Sequence, residues 1–215
     1  MAPLHKCIEC HKLGLMSLRD RKRARTRQAL IAAATDLFER NGYQETTVAD
    51  IAEAAEIGAR TFFSYFASKE DLLFPEADSR VRAAVDAIAS RGPDEGPVDV
   101  LLRALDTVTA ADDELVSPLA RLRLRLIHTV PAVRGRALQV QVEAARQIAE
   151  RLAEAFPDRL TRVSAAALTG AFIGGVAGAL EVLLEDAGDT GDPAVLEAAL
   201  RTATEVALAP WRDHA

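Results

Sequence analysis

The spacing of apolar residues predicts helices along the whole chain. From Arg19 onward, apolar side chains recur three and four positions apart, which places them on one face of a helix. These residues are Leu30, Ala33, Ala34, Leu37 and Phe38. The helix is expected to end at Arg40-Asn41-Gly42, a cation followed by residues that favour a left-handed stop. The sequence has no alternating pattern typical of strands and no internal repeat, so it predicts an all-α fold of about nine helices.

Three further helices are expected directly after the first. Thr47 has the position of an N-cap, with Asp50 at capping-box distance. A break at residues 56–58 leads into a third helix, and Ser68 begins a fourth. Two short helices joined by a tight turn and braced by a longer helix form a helix-turn-helix module. The residues expected in its core are Ile51, Ile57, Phe62 and Phe66.

The remainder of the chain predicts a helical bundle. Pro97, Pro118 and Pro193 each follow a small or capping residue and fit the first position of a helix. Residues 94–96 and 188–192 are expected to be loops. The predicted helices cover residues 69–90, 98–110, 118–130, 134–155, 159–186 and 193–209.

Charge is unevenly distributed along the sequence. The chain has 26 Lys and Arg against 32 Asp and Glu, a net charge of −6, which taken alone argues against nucleic-acid binding. The first 28 residues, however, hold eight basic side chains and two acidic ones, whereas residues 75–215 hold 15 Arg, 22 acidic residues and no Lys. A basic end on an acidic chain is expected where that end meets phosphate, although a solvated tail has the same composition.

The two cysteines, Cys7 and Cys10, are too few for a disulfide framework and suit a reducing cytoplasm. With His5 and His11 they have the chemistry of metal ligands, but no second Cys/His pair follows. We therefore expect neither a metal site nor a cofactor.

An uncharged stretch over residues 163–180 reaches the lower length limit for a membrane span. Gly170, Gly174 and Gly178 have the four-residue spacing of tightly packed helices. Ten of the 18 residues are Ala or Gly, which contribute little transfer free energy, and no basic flank sets a topology. A helix packed against another helix or against a ligand explains the same pattern, so no membrane contact is expected.

Residues 46–73 resemble the helix-turn-helix signature of the TetR family of transcriptional regulators. Their sequence is TTVADIAEAAEIGARTFFSYFASKEDLL. The preceding residues 26–48 match the family in order and spacing as well. The resemblance implies a homodimer that binds palindromic double-stranded operator DNA, most commonly as a repressor. It also implies that the C-terminal body binds a small-molecule effector, which changes the affinity for the operator.

The resemblance divides the chain into three parts. Residues 1–18 are expected to be a flexible extension, with either Met1 or Met16 as the true start. Residues 19–67 form the helix-turn-helix DNA-binding domain, and residues 68–215 form the ligand-binding and dimerisation domain, whose last two long helices build the dimer. The protein is expected in the cytoplasm.

DNA contacts follow from the resemblance position by position. Arg60 and Thr61 lie early on the third helix, where Arg60 would bind a guanine bidentately and Thr61 would contact a thymine methyl. Thr47, Tyr65 and Lys69 would reach phosphates. The full set of expected DNA-binding residues is Arg25, Arg27, Thr47, Arg60, Thr61, Phe63, Ser64, Tyr65 and Lys69.

The chain departs from the family pattern at three positions. Glu56 replaces the usual glycine in the turn, so the turn forms without that flexibility. Gly58 replaces a capping Ser or Thr, and Phe63 lacks the hydroxyl of the common Tyr. A contact of Phe63 with DNA would therefore be apolar, and the departures affect base readout more than the mode of binding.

An effector is expected between helices of the body, in an apolar pocket with few polar groups. Arg121, Arg125 and His128 share one helix face and could hold an anionic head group, or they form a solvated face with His128 near a helix end. A faint compositional resemblance to regulators that sense acyl thioesters suggests a lipophilic ligand. The expected lining is Arg121, Leu122, Arg125, His128, Leu138, Val142, Leu168, Phe172 and Val176.

Effector binding would tilt the helix over residues 69–90 and spread two recognition helices that otherwise lie about one DNA turn apart. Two other classes of function remain as alternatives. A non-specific DNA-binding helical protein would need broad positive charge, which the body lacks. An enzyme using the helical pocket would need a nucleophile–base pair or a metal cluster, and no such constellation stands out.

Overall fold

The structure, a computed structural model, describes residues 17–111, 117–187 and 192–212, which form helices, turns and loops without a strand. The Cys7/Cys10 motif lies outside these residues. The nine helices of the described ranges are α1 (Leu18–Asn41), α2 (Val48–Ala54), α3 (Ala59–Phe62), α4 (Ala77–Ala89), α5 (Pro97–Ala111), α6 (Pro118–Thr129), α7 (Pro131–Ala155), α8 (Arg162–Ala187) and α9 (Pro193–Leu208). The all-α fold predicted from the sequence is confirmed.

The chain forms two compact units, the first ending at Leu72 and the second beginning at Leu73. In the first unit, α1, α2 and α3 enclose a core whose largest fully buried side chains include Leu30, Ile51 and Phe62. Phe66 is also buried, as expected, whereas Ile57 is only partly buried.

Hydrogen bonds and backbone conformation at the two termini determine where α1 begins and ends. Ser17 accepts a hydrogen bond from the Asp20 amide while the Asp20 carboxylate accepts from Ser17, which satisfies two N–H groups at the start of the helix. At the other end, Gly42 has φ of +87° and its amide donates to the Phe38 carbonyl. The stop at Gly42 was predicted, and the left-handed conformation explains why glycine stands there.

The single helix predicted over residues 69–90 is wrong. A short 3₁₀ turn covers Glu70–Leu73, and α4 begins only at Ala77. Pro75 lies in the break between them. Because proline lacks an N–H and disfavours the α conformation of the residue before it, a continuous helix cannot pass through Phe74 and Pro75.

The second unit contains α4 to α9, of which α4, α5, α7, α8 and α9 contribute to one apolar core, and its fully buried side chains include Leu101, Leu152, Leu168 and Leu200. The predicted helix starts at Pro97, Pro118 and Pro193 are confirmed. A fourth proline start was missed: α7 begins at Pro131 rather than at residue 134.

Helices α8 and α9 pack closely at one glycine. A Cβ atom added to Gly175 would lie 2.8 Å from the Cβ of Ala207, so the two backbones approach there only because Gly175 has no side chain. Gly170, Gly174 and Gly178, in contrast, would each point an added Cβ into open space. The glycine repeat found in the sequence therefore lies on a face of α8 that no other residue within the described ranges covers.

By length and composition alone, α8 over Arg162–Asp186 would be able to cross a membrane. Only 22% of its most apolar window is buried within the chain. A helix that packs against a second protein surface has the same composition.

Candidate nucleic-acid interface and effector cavity

The turn between α2 and α3 is set by caps at both ends of α2. Thr47 Oγ1 accepts a hydrogen bond from the Asp50 amide, and the Asp50 carboxylate accepts from the amide and the hydroxyl of Thr47. These bonds lower the pKa of the Asp50 carboxyl, with the Thr47 hydroxyl as the largest cause. The capping box predicted at Thr47 is thus confirmed.

Glu56 closes the C-terminal end of α2 in a left-handed conformation, with φ of 56°. The Glu56 amide donates to the Glu53 carbonyl and the Ile57 amide to the Ala52 carbonyl, both at 2.9 Å, which is the hydrogen-bond pattern of a Schellman motif. Glycine suits this position because it lacks a Cβ. The glutamate makes the same turn at the cost of backbone strain.

The α3 segment presents a largely exposed surface formed by Arg60, Thr61, Phe63 and Ser64. Phe63 leaves 59% of its surface exposed, whereas its neighbour Phe62 is fully buried. The Ser64 hydroxyl donates 2.7 Å to the Thr61 carbonyl and so extends the turn beyond the last residue of α3. An exposed aromatic ring beside an arginine and two hydroxyls can contact base edges in a major groove.

Two arginines of α1 contact the residues that follow α3. Arg23 Nη2 donates a 2.9 Å hydrogen bond to the Ser64 carbonyl, and its guanidinium lies 4.8 Å from the centroid of the Tyr65 ring. The Arg27 guanidinium lies 5.0 Å from the centroid of the Phe66 ring. The basic side chains of α1 therefore position the aromatic residues after α3 as well as adding positive charge.

Lys69 lies in a polar cluster between the end of α1 and the turn that follows α3. Its ammonium donates to the carbonyls of Tyr43 and Thr46 at 2.9 and 3.1 Å, and lies 4.1 Å from the centroid of the Tyr43 ring. The Tyr43 hydroxyl donates to Glu70 at 2.5 Å. The Lys69 ammonium thus contacts two backbone carbonyls and an aromatic ring at once, and it connects the segment after α1 with the segment after α3.

The same cluster shifts the titration of both acidic groups. Burial, together with the hydrogen bond to Glu70 and its charge, raises the pKa of the Tyr43 phenol well above its ordinary value. Burial acts to raise the pKa of Glu70, but hydrogen bonds from Tyr43 and Ser68 outweigh it, so the pKa of this carboxyl is lowered.

A cavity of about 490 Å³ lies between the helices of the second unit. Its walls come from α4 to α8 and from Phe74, and most of its lining side chains are aliphatic, among them Leu105, Ile148 and Leu180. This volume falls within the range of small-molecule sites, and the apolar walls favour a lipophilic occupant.

The charged groups of the cavity are mostly cationic. Arg80, Arg123 and Arg134 line it together with His128 and one acidic side chain, Glu181. Arg123 is 8% exposed and donates 3.2 Å to the Leu73 carbonyl. Three guanidinium groups against one carboxylate in an apolar setting favour a ligand with an anionic end.

Two family models match the chain. The model for the N-terminal region of bacterial regulatory proteins of the TetR family matches residues 30–74, and the model for the MftR C-terminal domain matches residues 95–207, more than half of the chain. The chain belongs to the TetR family. Members of this family are DNA-binding transcription regulators and not enzymes, which excludes the enzyme alternative.

Curated TetR-family relatives match about half of the chain. The transcriptional regulator TcmR of Streptomyces glaucescens is 37% identical over 120 residues, which cover 55% of this chain and 53% of TcmR. The MftR protein of Mycobacterium tuberculosis, named for transcriptional regulation of mycofactocin biosynthesis, is 30% identical over 118 residues, 54% of this chain and 58% of MftR. The chain thus spans about half the length of the curated relatives that it matches.

Solved TetR-family structures share the fold. A family member from Syntrophomonas wolfei has a TM-score of 0.61 at 17% identity, covering 86% of this chain and 96% of that protein. FadR of Thermus thermophilus, solved in complex with lauroyl-CoA, has a TM-score of 0.52 at 22% identity, covering 85% and 93%.

The TetR-type DNA-binding assignment, made from the sequence, remains a prediction for each residue. The structure brings Arg60, Thr61, Phe63 and Ser64 together on one surface and leaves Arg25 exposed. Four of the expected DNA-binding side chains already make contacts within the first unit: Arg27, Thr47, Tyr65 and Lys69. An operator phosphate would have to bind these side chains in addition to their present partners, or replace those partners. Arg23 was missed, because nothing in the local pattern of α1 distinguishes it from the neighbouring arginines.

The expected effector residues divide into two groups. His128, Leu138, Phe172 and Val176 line the cavity. Five of the expected residues do not line it: Arg121, Leu122, Arg125, Val142 and Leu168. Leu168 is fully buried in the core, and Val142 is 68% exposed. Sequence reasoning missed Phe74, Arg80, Arg123 and Arg134, since helical periodicity identifies a face but not which neighbouring helix that face meets.

Proposed function

We propose that this TetR-family regulator is a homodimeric repressor that binds a palindromic operator and releases it when a lipophilic, anionic small molecule enters the cavity. The observation that carries the effector half of the proposal is the cavity itself, apolar on most of its wall and supplied with three arginines. The FadR relative solved with lauroyl-CoA makes an acyl thioester the first compound to test.

The dimer proposal is supported by the outer faces of α8 and α9. Val163, Val182, Val195 and Val206 are between 55% and 79% exposed, and Gly170, Gly174 and Gly178 lie on the same helices with open space before them. An apolar surface of small side chains lets helix backbones approach closely. A second copy of the chain, contributing the same two helices, would cover it as a four-helix bundle.

The operator proposal is supported by the exposed α3 surface and by the basic α1. In a dimer, two such surfaces would read half-sites about one helical turn of DNA, roughly 34–36 Å, apart. The proposal also includes repression of transcription, release of the operator on effector binding, and a cytoplasmic location.

The switch requires that the effector bind one conformation of the dimer more tightly than the other. In this proposal, the helix that responds to the effector is α4, which begins only after Pro75. It takes the role that the sequence analysis gave to a continuous helix over residues 69–90. Because Phe74, Ala77, Arg80, Val81 and Ala84 line the cavity, an occupant would contact α4 along one face.

Effector release can be tested with a fluorescent operator duplex and lauroyl-CoA, using anisotropy to follow dissociation. Ala144→Phe places a ring on the cavity wall, whereas Val142→Phe places the same ring at an exposed position of the same helix that does not line the cavity. We expect lauroyl-CoA to dissociate the wild type and Val142→Phe complexes at similar concentrations and the Ala144→Phe complex only at about tenfold higher concentration or above. Equal responses of both variants would contradict the cavity as the effector site.

A further inference from the structure

Three metal-ligating side chains converge beside the cavity, and two of them, His128 and Glu181, line it. His128 lies at the C-terminal end of α6, and Glu181 and Glu185 lie on α8. His128 Nε2 is 3.1 Å from Glu181 Oε1, and one ligand atom from each of the three residues lies within 4.8 Å of the others. We propose that His128, Glu181 and Glu185 bind a divalent transition-metal ion such as Zn²⁺.

The distances suit such an ion. Zn²⁺ bonds histidine nitrogen and carboxylate oxygen at about 2.0–2.2 Å, so two ligand atoms of a tetrahedral site lie roughly 3.3 Å apart. The observed separation of 3.1 Å between His128 and Glu181 is close to that value. Glu185 is exposed, and rotation of its side chain is enough to bring an oxygen from at most 4.8 Å to the same range.

An ordinary ion pair accounts for only two of the three residues. His128 and Glu181 are both about half exposed, and a contact of that kind contributes little to stability. Glu181 and Glu185 are four positions apart on one face of α8, where two carboxylates repel each other. A cation bound between them and His128 removes this repulsion and uses all three side chains.

The location gives the ion a role at the effector site. His128 and Glu181 line the cavity, and three protein ligands leave at least one coordination position open, as in zinc sites that bind a further ligand. Glu181 at the cavity wall and Glu185 beside it would repel an anionic ligand, whereas a bound divalent ion cancels their charge and offers an open coordination position to an oxygen or sulfur of the ligand. This consequence rests on the proposed function; metal binding itself does not.

Calorimetric titration of the full chain with Zn²⁺, without DNA or effector, tests the site. Because Cys7 and Cys10, with His5 and His11, have the chemistry of metal ligands and would compete for added Zn²⁺, every measurement uses the full chain carrying Cys7→Ser and Cys10→Ser. We expect one Zn²⁺ per chain, with affinity reduced about tenfold or more by His128→Gln and by Glu185→Gln. Glu154→Gln, at an exposed glutamate of α7, is the matched control and should leave the affinity unchanged.

Two results would overturn the proposal. One is the absence of Zn²⁺ binding at up to millimolar concentration by the folded Cys-free chain. The other is binding that His128→Gln and Glu185→Gln leave unchanged while circular dichroism shows all variants folded. Either result leaves operator binding and release by lauroyl-CoA to be judged separately, since those are measured without added metal.

Discussion

Arg23 and Tyr65, far apart in the sequence, form a cation–π pair in the first unit. The guanidinium of Arg23 lies 4.8 Å from the centroid of the Tyr65 ring, and its Nη2 atom donates a hydrogen bond to the Ser64 carbonyl. The same segment is also tied back to α3, since the Ser64 and Tyr65 amides donate to the Thr61 and Phe62 carbonyls. Arg23 adds a contact with α1, so the position of the Tyr65 ring depends in part on this arginine.

Arg23→Ala should lower the free energy of unfolding by about 1 kcal/mol, through loss of the cation–π contact and one hydrogen bond at a partly exposed site. It should also weaken operator binding, since Tyr65 loses its support. Urea denaturation and anisotropy with an operator duplex measure the two effects. Arg25→Ala, at an exposed neighbouring arginine, should leave stability within about 0.5 kcal/mol of the wild type.

Arg60 and Arg25 should differ in how they affect DNA binding. Arg60→Ala is expected to cost about 1–3 kcal/mol and to relax discrimination at one base pair in each half-site, because Arg60 lies on the exposed α3 surface. Arg25→Ala should weaken binding to all sequences and reduce the salt slope by about 1. If Arg60→Ala weakens all sequences equally in titrations at several salt concentrations, Arg60 does not read a base.

Glu56→Gly should stabilise the protein. The left-handed backbone of Glu56 costs roughly 1–2 kcal/mol for a residue with a Cβ, and glycine relieves this while losing more chain entropy on folding, so a net gain of up to about 1 kcal/mol is expected. Denaturant titration measures it. Glu53→Gly, within α2, is the control and should destabilise by about 1 kcal/mol.

Alkaline pH should destabilise the protein through Tyr43. Its pKa is raised in the folded state, so the neutral phenol contributes stability that is fully present below the unfolded pKa near 10 and declines as the pH rises above it. Unfolding free energies at pH 8 and pH 11 should therefore differ more for the wild type than for Tyr43→Phe. Equal pH dependence of the two proteins would mean that Tyr43 ionises as readily folded as unfolded.

Neighbouring glycines of α8 should respond in opposite ways. Gly174→Leu points into open space, so the chain should stay folded, gain up to about 1 kcal/mol of helix propensity and lose its ability to dimerise. Gly175→Leu would collide with Ala207 and should destabilise the fold itself. Sedimentation velocity together with thermal denaturation separates these outcomes; a Gly174→Leu dimer as tight as the wild type would place the dimer interface elsewhere.

Local patterns predicted most helix boundaries but could not locate the cavity. The Thr47–Asp50 capping box and the proline starts of α5, α6 and α9 depend on residues adjacent in sequence, and these were predicted correctly. The break at Pro75 also depends on adjacent residues, because proline restricts the backbone of Phe74 more strongly than the apolar spacing over residues 69–90 favours a helix there.

Long-range contacts account for the remaining differences. Arg23 contacts Ser64 and Arg123 contacts Leu73, and neither pairing leaves a periodic signal. Of the three expected arginine and histidine positions near the effector, Arg121, Arg125 and His128, only His128 lines the cavity, whereas Arg80 and Arg134, which also line it, lie on other helices. Which faces meet is decided by helix packing, and the pattern of one helix does not contain it.

Specific operator recognition can be tested by operator selection from a random duplex pool, with the purified protein at near-physiological salt. We expect recovery of a palindrome whose half-sites are centred about one helical turn apart. Recovery of sequences without a shared motif, from a protein that sedimentation shows to be a folded dimer, would contradict specific operator recognition by the α3 surface.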